Sequence, residues 1–488
     1  MHLDELRSLC PELRGEGPAE IRGITADSRA VRPGFLFAAL PGAKADGARF
    51  IADAVRAGAA AILAPQGTEW PAGVPSLPFL RAADPRRVLA LMAAAFHGAQ
   101  PERVVAITGT NGKTSTADFH RQLMGLAGRR AASLGTLGLV AEGFPVGPSL
   151  TTPDPVTLHA QLAELARAGV TDLALEASSH GLDQRRLDGV KLAAGAFTNL
   201  TRDHLDYHRD MAGYRAAKLR LFDTLLPKGA AAVLHTEMDS ETLAALRAIV
   251  AERALRGIEA GEAGRDIRLL AQRPLPGGQV LALDAFGRKA EVTLALPGRF
   301  QADNVLVATG LAVGLGLDIG RVLDLLPSLR GVRGRMELAT TLPNGAAVYV
   351  DYAHTPDALE RLLDALRPHV GPGGRLHVLF GAGGDRDPGK RPLMGAAAAR
   401  GADELWITDD NPRSEDPAAI RAAIRAAAPS SRDAGEREGA IAAALAALRP
   451  GDVLAVAGKG HESGQTIAGV TTPFDDAEVV RRLAGALP

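Results

Sequence analysis

One cysteine, Cys10, stands in 488 residues. That scarcity excludes an internal disulfide framework and any cysteine-rich zinc site, and leaves Cys10 as a small core residue. Excess charge is missing too: 55 Lys and Arg balance 56 Asp and Glu, for a net charge of -1. Nothing global then draws the chain to nucleic acid or to an acidic membrane, so local basic groups must hold any anion. Long apolar runs are also absent. Val88–Phe96 and Val305–Leu317 are too short for a membrane span or are broken by glycine. The opening Met1-His2-Leu3-Asp4-Glu5 carries early acids and no basic apolar leader pattern. There is no low-complexity tail. A cytoplasmic protein is expected, working as a monomer on small molecules.

What is present reads as ordinary soluble globular material, 46% hydrophobic and 23% charged. The length predicts about three domains. The most informative segment is Val104-Val105-Ala106-Ile107-Thr108-Gly109-Thr110-Asn111-Gly112-Lys113-Thr114-Ser115-Thr116. A β-branched apolar run ends in a glycine turn, and Lys-Thr opens a helical pattern through Ala117, Phe119, Leu123 and Met124. This is how a chain builds a phosphate cradle: backbone N–H groups and a helix N-terminus face the phosphates, the lysine adds charge, and the hydroxyl suits Mg²⁺. Ile107 occupies the position of the first glycine in the usual eight-residue pattern, so the loop is the shorter GxxGKT form. The loop predicts nucleoside triphosphate use and does not separate an enzyme from a switch or a motor.

Around it, strands predicted at Val104–Thr108, Leu173–Glu176, Gly195–Phe197 and Ala231–Leu234 alternate with helical stretches, the pattern of a parallel α/β sheet. Leu281–Leu296 alternates as antiparallel strand. A second doubly wound pattern follows from about residue 333, with strands at Val348–Val350, Leu376–Phe380, Glu404–Ile407 and Val453–Ala457. Folds of this kind bind ligands at the carboxyl ends of their strands. Polar clusters fall there: Asp351–His354, Gly381–Arg391, Asp409–Arg413 and Gly458–Glu462.

Several residues carry two readings on the sequence alone. Glu176 ends a strand and suits Mg²⁺, or is an exposed loop acid. The run Thr198–His208 packs two histidines and two aspartates into one loop, in no zinc spacing. Lys218 by itself reads as a lysine on a helix surface. Arg386 and Arg413 sit in loops where a guanidinium fork can take a carboxylate, or are surface turn residues.

Taken together, Gly109–Thr114, Glu176-Ala177-Ser178-Ser179-His180, Asn199–His208, Val350–Pro356 and Gly458-Lys459-Gly460-His461-Glu462 resemble the Mur ligases of peptidoglycan synthesis. Asp410-Asn411-Pro412-Arg413 is similar to the signature of the members that add meso-diaminopimelate. Ser115, where threonine is frequent, and Ala177 are small departures. The resemblance implies an α/β protein of three domains: 1–97 for the UDP end of the substrate, a central P-loop ATPase-like parallel sheet over 98–332, and a C-terminal Rossmann-like domain over 333–488 for the incoming amino acid. It implies ATP and Mg²⁺ as cofactors and an ATP-dependent ligation through an acyl phosphate. It implies closure of the third domain on the second after ATP binds.

Residue by residue, the resemblance implies that Ala26, Ser28 and the loop Ala43-Lys44-Ala45 hold the uridine nucleotide. Thr151, Thr152, Ser178, Gln184 and Arg186 would hold the muramoyl peptide and diphosphate. Gly109, Thr110, Asn111, Gly112, Lys113, Thr114 and Ser115 would hold ATP, with Asn304, Arg335 and Asp351 contacting the nucleotide. Thr114 would serve one Mg²⁺ with the ATP phosphates, Glu176 and His204 a second, and Lys218 matches a lysine that is carbamylated, so that its carbamate oxygens could hold a metal. Lys113, Lys218, Glu176 and His204 would carry catalysis. Arg386, Asp410, Asn411, Pro412, Arg413, Gly458 and Glu462 would receive diaminopimelate. A lysine-adding relative or a folylpolyglutamate synthetase is disfavoured by the Asn-Pro-Arg loop. A regulatory protein that lost ligation is disfavoured by the joint presence of Glu176, His204 and Lys218.

Overall fold

A computed structural model describes residues 1–8, 10, 13–15, 17–42, 46–145 and 150–485. The loop Ala43-Lys44-Ala45 lies outside the described residues. The chain forms two compact units, Met1–Glu259 with Gly310–Gly316, and Ala260–Thr309 with Leu317–Pro488. Among the described residues no helix is long and apolar enough to cross a membrane.

The first unit opens with four parallel strands in sequence order, Gly23–Thr25, Phe35–Ala38, Ala61–Pro65 and Phe79–Ala82. The helix Pro85–His97 follows. Asp84 caps it by accepting from Arg87 N–H, and Pro85 fits the first turn, where no partner for its nitrogen is needed. Val88, Leu89, Met92 and the buried Cys10 join the same core.

The second sheet of this unit places Arg103–Thr108 between Asp172–Glu176 and Leu192–Phe197, all parallel. Ala131–Gly135 pairs beyond Asp172–Glu176, and Ala231–His235 beyond Leu192–Phe197. Val104 to Ile107 are buried on both faces, which is why the segment reads as a continuous apolar run. The carboxyl ends of these strands deliver Gly109, Ala177 and Thr198 to one edge of the sheet.

The second unit holds an antiparallel meander of Ile267–Leu275, Gly278–Ala285 and Arg288–Leu294; the stretch Leu281–Leu296, read as antiparallel strand, falls mostly in the last two, with a turn at Phe286-Gly287 between them. Its six-stranded sheet runs Glu337–Thr341, Ala347–Asp351, Val453–Ala457, Leu376–Phe380, Glu404–Thr408, Arg432–Gly435. The first pairing is antiparallel and the rest parallel. A small hairpin, Gly464–Ile467 with Val470–Pro473, follows the central strand. The sequence did not announce 23–25, 79–82, 131–135 with 138–140, 256–261, 267–275, 337–341, 432–435 or the hairpin 464–473; most of these are too short to show a clear period.

Candidate active site

The phosphate loop forms as its composition requires. Gly112 adopts φ 83° at the N-terminus of helix Lys113–Leu126, and no side chain caps that helix. Its first N–H groups therefore lack intrahelical partners and are suited to an anion. Gly109 has φ 145°, and a Cβ there would stand 2.0 Å from Thr198 Oγ1. Only glycine fits this position.

The neighbouring loop braces the cradle. Thr110 N–H donates to Asn199 O at 2.9 Å, and Asn111 N–H donates to Asn199 Oδ1 at 2.9 Å. Thr198 Oγ1 donates to Asn111 O at 2.6 Å. Thr201 N–H donates to Thr110 Oγ1 at 2.9 Å, and Tyr214 OH lies 3.2 Å from that hydroxyl. Thr198 and Asn199 lie in the run the sequence marks and Tyr214 outside it, but the bracing role of all three shows only when two strand ends lie side by side.

Lys113 Nζ donates back to Gly109 O at 3.0 Å and Thr110 O at 2.8 Å. Burial lowers its pKa, opposed by the charges of Glu176 and Asp203. Lys218 corrects its sequence reading as a surface residue. It is 1% exposed, on helix Met211–Arg220, and its Nζ donates to Gly109 O at 2.7 Å and lies 4.5 Å from the Tyr214 ring centroid. Burial, then the charge of Lys113, push its pKa well below the lysine range.

Glu176 is likewise buried rather than an exposed loop acid. Burial raises its pKa, against the pull of Lys113 and of hydrogen bonds from Thr136 and Thr114. Thr136 N–H donates to Oε1 at 2.9 Å, and its hydroxyl to Oε2 at 3.3 Å. His204, with φ 52°, lies in the facing loop with its ring against His180 at 5.1 Å and its Nε2 3.5 Å from Asp203 Oδ2.

A second cluster adjoins. Thr152 Oγ1 donates to Glu176 O at 2.8 Å and lies 3.0 Å from Ser178 Oγ, which in turn caps helix Ser179–Asp183. Arg186 donates to Thr152 O at 2.6 Å and to Gln184 Oε1 at 2.8 Å. Gln184 Nε2 donates to Tyr207 OH at 3.2 Å, and Thr151 Oγ1 lies 3.2 Å from Thr136 Oγ1. Ala26 and Ser28 follow strand Gly23–Thr25 in the N-terminal sheet. Asp27 between them pairs with Arg29 at 2.8 Å.

In the second unit, Asp351 spends both oxygens on backbone N–H groups, accepting from Met336, just before strand Glu337–Thr341, at 2.7 Å and from Ala353 at 2.8 Å, and burial raises its pKa. Arg335 lies over the Tyr352 ring at 5.1 Å. Asn304 is buried on helix Arg299–Gly314 and donates to Gln301 Oε1 at 3.2 Å. The segment Asp410–Arg413 is laid against the small hairpin. Gln465 Nε2 donates to Asp410 O at 2.7 Å, Arg413 N–H to Thr466 O at 3.0 Å, and Ala468 N–H to Arg413 O at 2.7 Å. Arg413 takes φ 53°, and its Nη1 donates to Gly384 O at 2.7 Å. Asn411 Nδ2 reaches Glu462 Oε2 at 2.9 Å. Gly458 packs so tightly that a Cβ would lie 2.6 Å from Asp410 Oδ2. Arg386 is exposed in the loop after strand Leu376–Phe380.

The chemistry on offer is thus a phosphate cradle with a half-buried lysine, a buried lysine and a buried carboxylate, and a loop of acid, amide and guanidinium groups in the second unit. The donor set fits a nucleotide and a divalent cation: uncapped helix N–H groups and Lys113 for phosphates, Thr114 and Glu176 oxygens for the metal.

Comparison with known proteins identifies the Mur ligase family. The family models that match are the Mur ligase family catalytic domain over residues 20–99, the Mur ligase middle domain over 107–312, and the Mur ligase glutamate ligase domain over 334–460. The UDP-N-acetylmuramoyl-L-alanyl-D-glutamate–2,6-diaminopimelate ligase of Caulobacter vibrioides is 55% identical, covering 95% of this chain and 96% of that protein. The ligase of the same name from Bradyrhizobium diazoefficiens is 52% identical, covering 94% of each. A solved structure of a ligase of that name matches with a TM-score of 0.75 and 32% identity, over 96% of this chain and 95% of that one. The MurF ligase of Thermotoga maritima, solved with ADP, shares the fold at 19% identity and a TM-score of 0.56, over 95% of this chain and 97% of that one.

Proposed function

Because this chain belongs to the Mur ligase family, we propose that it joins meso-2,6-diaminopimelate to UDP-N-acetylmuramoyl-L-alanyl-D-glutamate at the expense of ATP, in peptidoglycan synthesis. The loop Asp410–Arg413 supports this reading. Its amide and guanidinium, with Glu462, suit an amino acid that carries a carboxylate and an ammonium at both ends. We assign residues 1–97 to the UDP end of the substrate, 98–332 to ATP and 333–488 to the amino acid.

The D-glutamate carboxylate attacks the γ-phosphorus of ATP and ADP leaves. The diaminopimelate amine then attacks the acyl phosphate, and the tetrahedral intermediate expels phosphate to give the amide and a proton. Lys113 and the N–H groups of residues 112–114 hold the transferring phosphoryl group in line. Thr114, Glu176 and His204 are the assigned metal ligands, and Mg²⁺ there would neutralise charge growing on the phosphate oxygens. Lys218, whose pKa burial and then the charge of Lys113 push well below the lysine range, is the residue we assign to add carbon dioxide. The amine nitrogen bonds to carbon, a proton leaves, and the resulting carbamate offers two anionic oxygens where an ammonium would repel a cation. Thr152, Ser178, Gln184 and Arg186 orient the muramoyl peptide, and Ala26 and Ser28 the uridine.

The experiment is phosphate release measured with UDP-muramoyl dipeptide, ATP and each candidate amino acid. Release dependent on meso-diaminopimelate is expected; release with L-lysine at equal or greater efficiency would overturn the substrate assignment.

A further inference from the structure

Lys459 has no exposed surface, although it follows the end of the central strand Val453–Ala457. Glycines on either side set its direction. Gly458 has φ 114° and Gly460 φ 55°, and a Cβ on Gly460 would lie 2.6 Å from Tyr352 Cβ. The lysine is held inward under the hairpin Gly464–Pro473. Its Nζ donates to Gly464 O at 2.6 Å, Asn411 Oδ1 at 3.2 Å and Glu462 Oε2 at 3.3 Å.

These bonds decide the orientation of two side chains. Asn411 Oδ1 also accepts from Thr466 N–H at 2.9 Å. With two donors on its oxygen the amide cannot flip, so Nδ2 is aimed at Glu462 Oε2. That carboxylate oxygen then has two donors of its own. Among the described residues Glu462 Oε1 accepts no hydrogen bond, and the side chain is 36% exposed. Lys459 therefore fixes one edge of the carboxylate and turns the other outward.

We propose that Lys459 is a positioning residue for the incoming amino acid: it locks Asn411 and Glu462 so that Glu462 Oε1 is presented to the substrate's ammonium. This rests on the ligase reading above. A lysine that only filled the core would satisfy Gly464 O and leave substrate affinity alone.

The test is steady-state kinetics of Lys459→Met and Lys459→Arg with all three substrates, beside thermal midpoints. Losing charge-assisted bonds should raise the KM for diaminopimelate about ten- to hundredfold in Lys459→Met. The KM for ATP should stay within about twofold. Lys459→Arg keeps the charge and should fall between parent and Lys459→Met. In a Glu462→Gln background Lys459→Met should cost less than it does alone. A diaminopimelate KM within twofold of the parent, or a fall in kcat with every KM unchanged, overturns the proposal. If Lys459→Met does not fold, Lys459→Arg decides: a parental diaminopimelate KM overturns the positioning role. A parent that turns over only with another amino acid overturns the ligase reading and this inference with it.

Discussion

Lys113 and Lys218 converge on one oxygen: the Gly109 carbonyl accepts from the first at 3.0 Å and from the second at 2.7 Å. Two ammonium groups cannot both stay charged cheaply in so buried a place. Lys218, desolvated first and repelled by Lys113 second, is the one pushed well below the lysine range. Burial lowers the pKa of Lys113 too, though there the charges of Glu176 and Asp203 oppose it.

The Lys218 amine should be found as a carbamate in active enzyme. Protein equilibrated with ¹³C-bicarbonate should show a carbamate carbon resonance that Lys218→Ala lacks, and that variant should be nearly inactive. Short carboxylates should restore part of its activity by supplying the missing oxygens. Parental turnover by Lys218→Ala, or active protein carrying only the free amine, would sink the idea.

Lys113→Ala should lose at least ~10²-fold in kcat, as when one preorganised donor to a transition state is removed. Circular dichroism establishes that the variant is folded. Turnover within a few-fold of the parent would remove Lys113 from phosphoryl transfer.

Gly109→Ala asks whether the backbone itself is part of the site. A methyl at φ 145°, 2.0 Å from Thr198 Oγ1 and 3.1 Å from the Asn199 backbone, must force the two loops apart. ADP binding measured by calorimetry should weaken by at least ~10-fold, because the N–H groups of the cradle lose their common focus. Unchanged affinity would contradict the bracing by Thr198 and Asn199.

Arg413→Ala should raise the KM for diaminopimelate and leave that for ATP nearly unchanged. Its Nη1 is anchored on Gly384 O, and a Cβ on Gly383 would come within 2.8 Å of that nitrogen, so the guanidinium packs close against this glycine pair. Its remaining edge can take a carboxylate, which L-lysine lacks at its far end. Sites built for a polar group reject analogues without it by about 10⁴–10⁵. Lysine should not become a good substrate of the variant, since removing an arginine builds no lysine pocket. An unchanged diaminopimelate KM would exclude Arg413 from the site.

His159 should make the fold acid-sensitive. Its Nε2 lies 3.1 Å from Asp188 O, and among the described residues its Nδ1 has no hydrogen-bond partner. Burial lowers its pKa to about 4, against the hydrogen bond to Asp188. The unfolded chain, titrating near the ordinary histidine value of 6.5, binds a proton the native state refuses as pH falls between those values. The contribution is therefore complete above pH ~6.5 and lost toward pH ~4, with an upper limit of about 3 kcal/mol. His159→Gln keeps a donor for Asp188 O and should show a smaller fall in Tm from pH 7.5 to pH 5 than the parent. Parallel falls would assign the sensitivity elsewhere.

Local chemistry in the sequence was enough for some of this. Gly109–Thr114 could be read as a phosphate loop because its φ-positive glycines, its lysine and the helix it opens are contiguous. The parallel sheets were legible because strands buried on both faces show as apolar runs. The family was legible because its motifs are short and specific. Burial of Lys218 was not, since a helix lysine shows nothing of what packs over it. Only the tertiary fold brings it to Gly109, 109 residues away, and buries it there. The same holds for Thr198 and Asn199 against the cradle, and for Lys459 beneath Asn411 and Glu462. Each depends on which strand ends lie side by side, a long-range pairing that residue type and spacing do not encode.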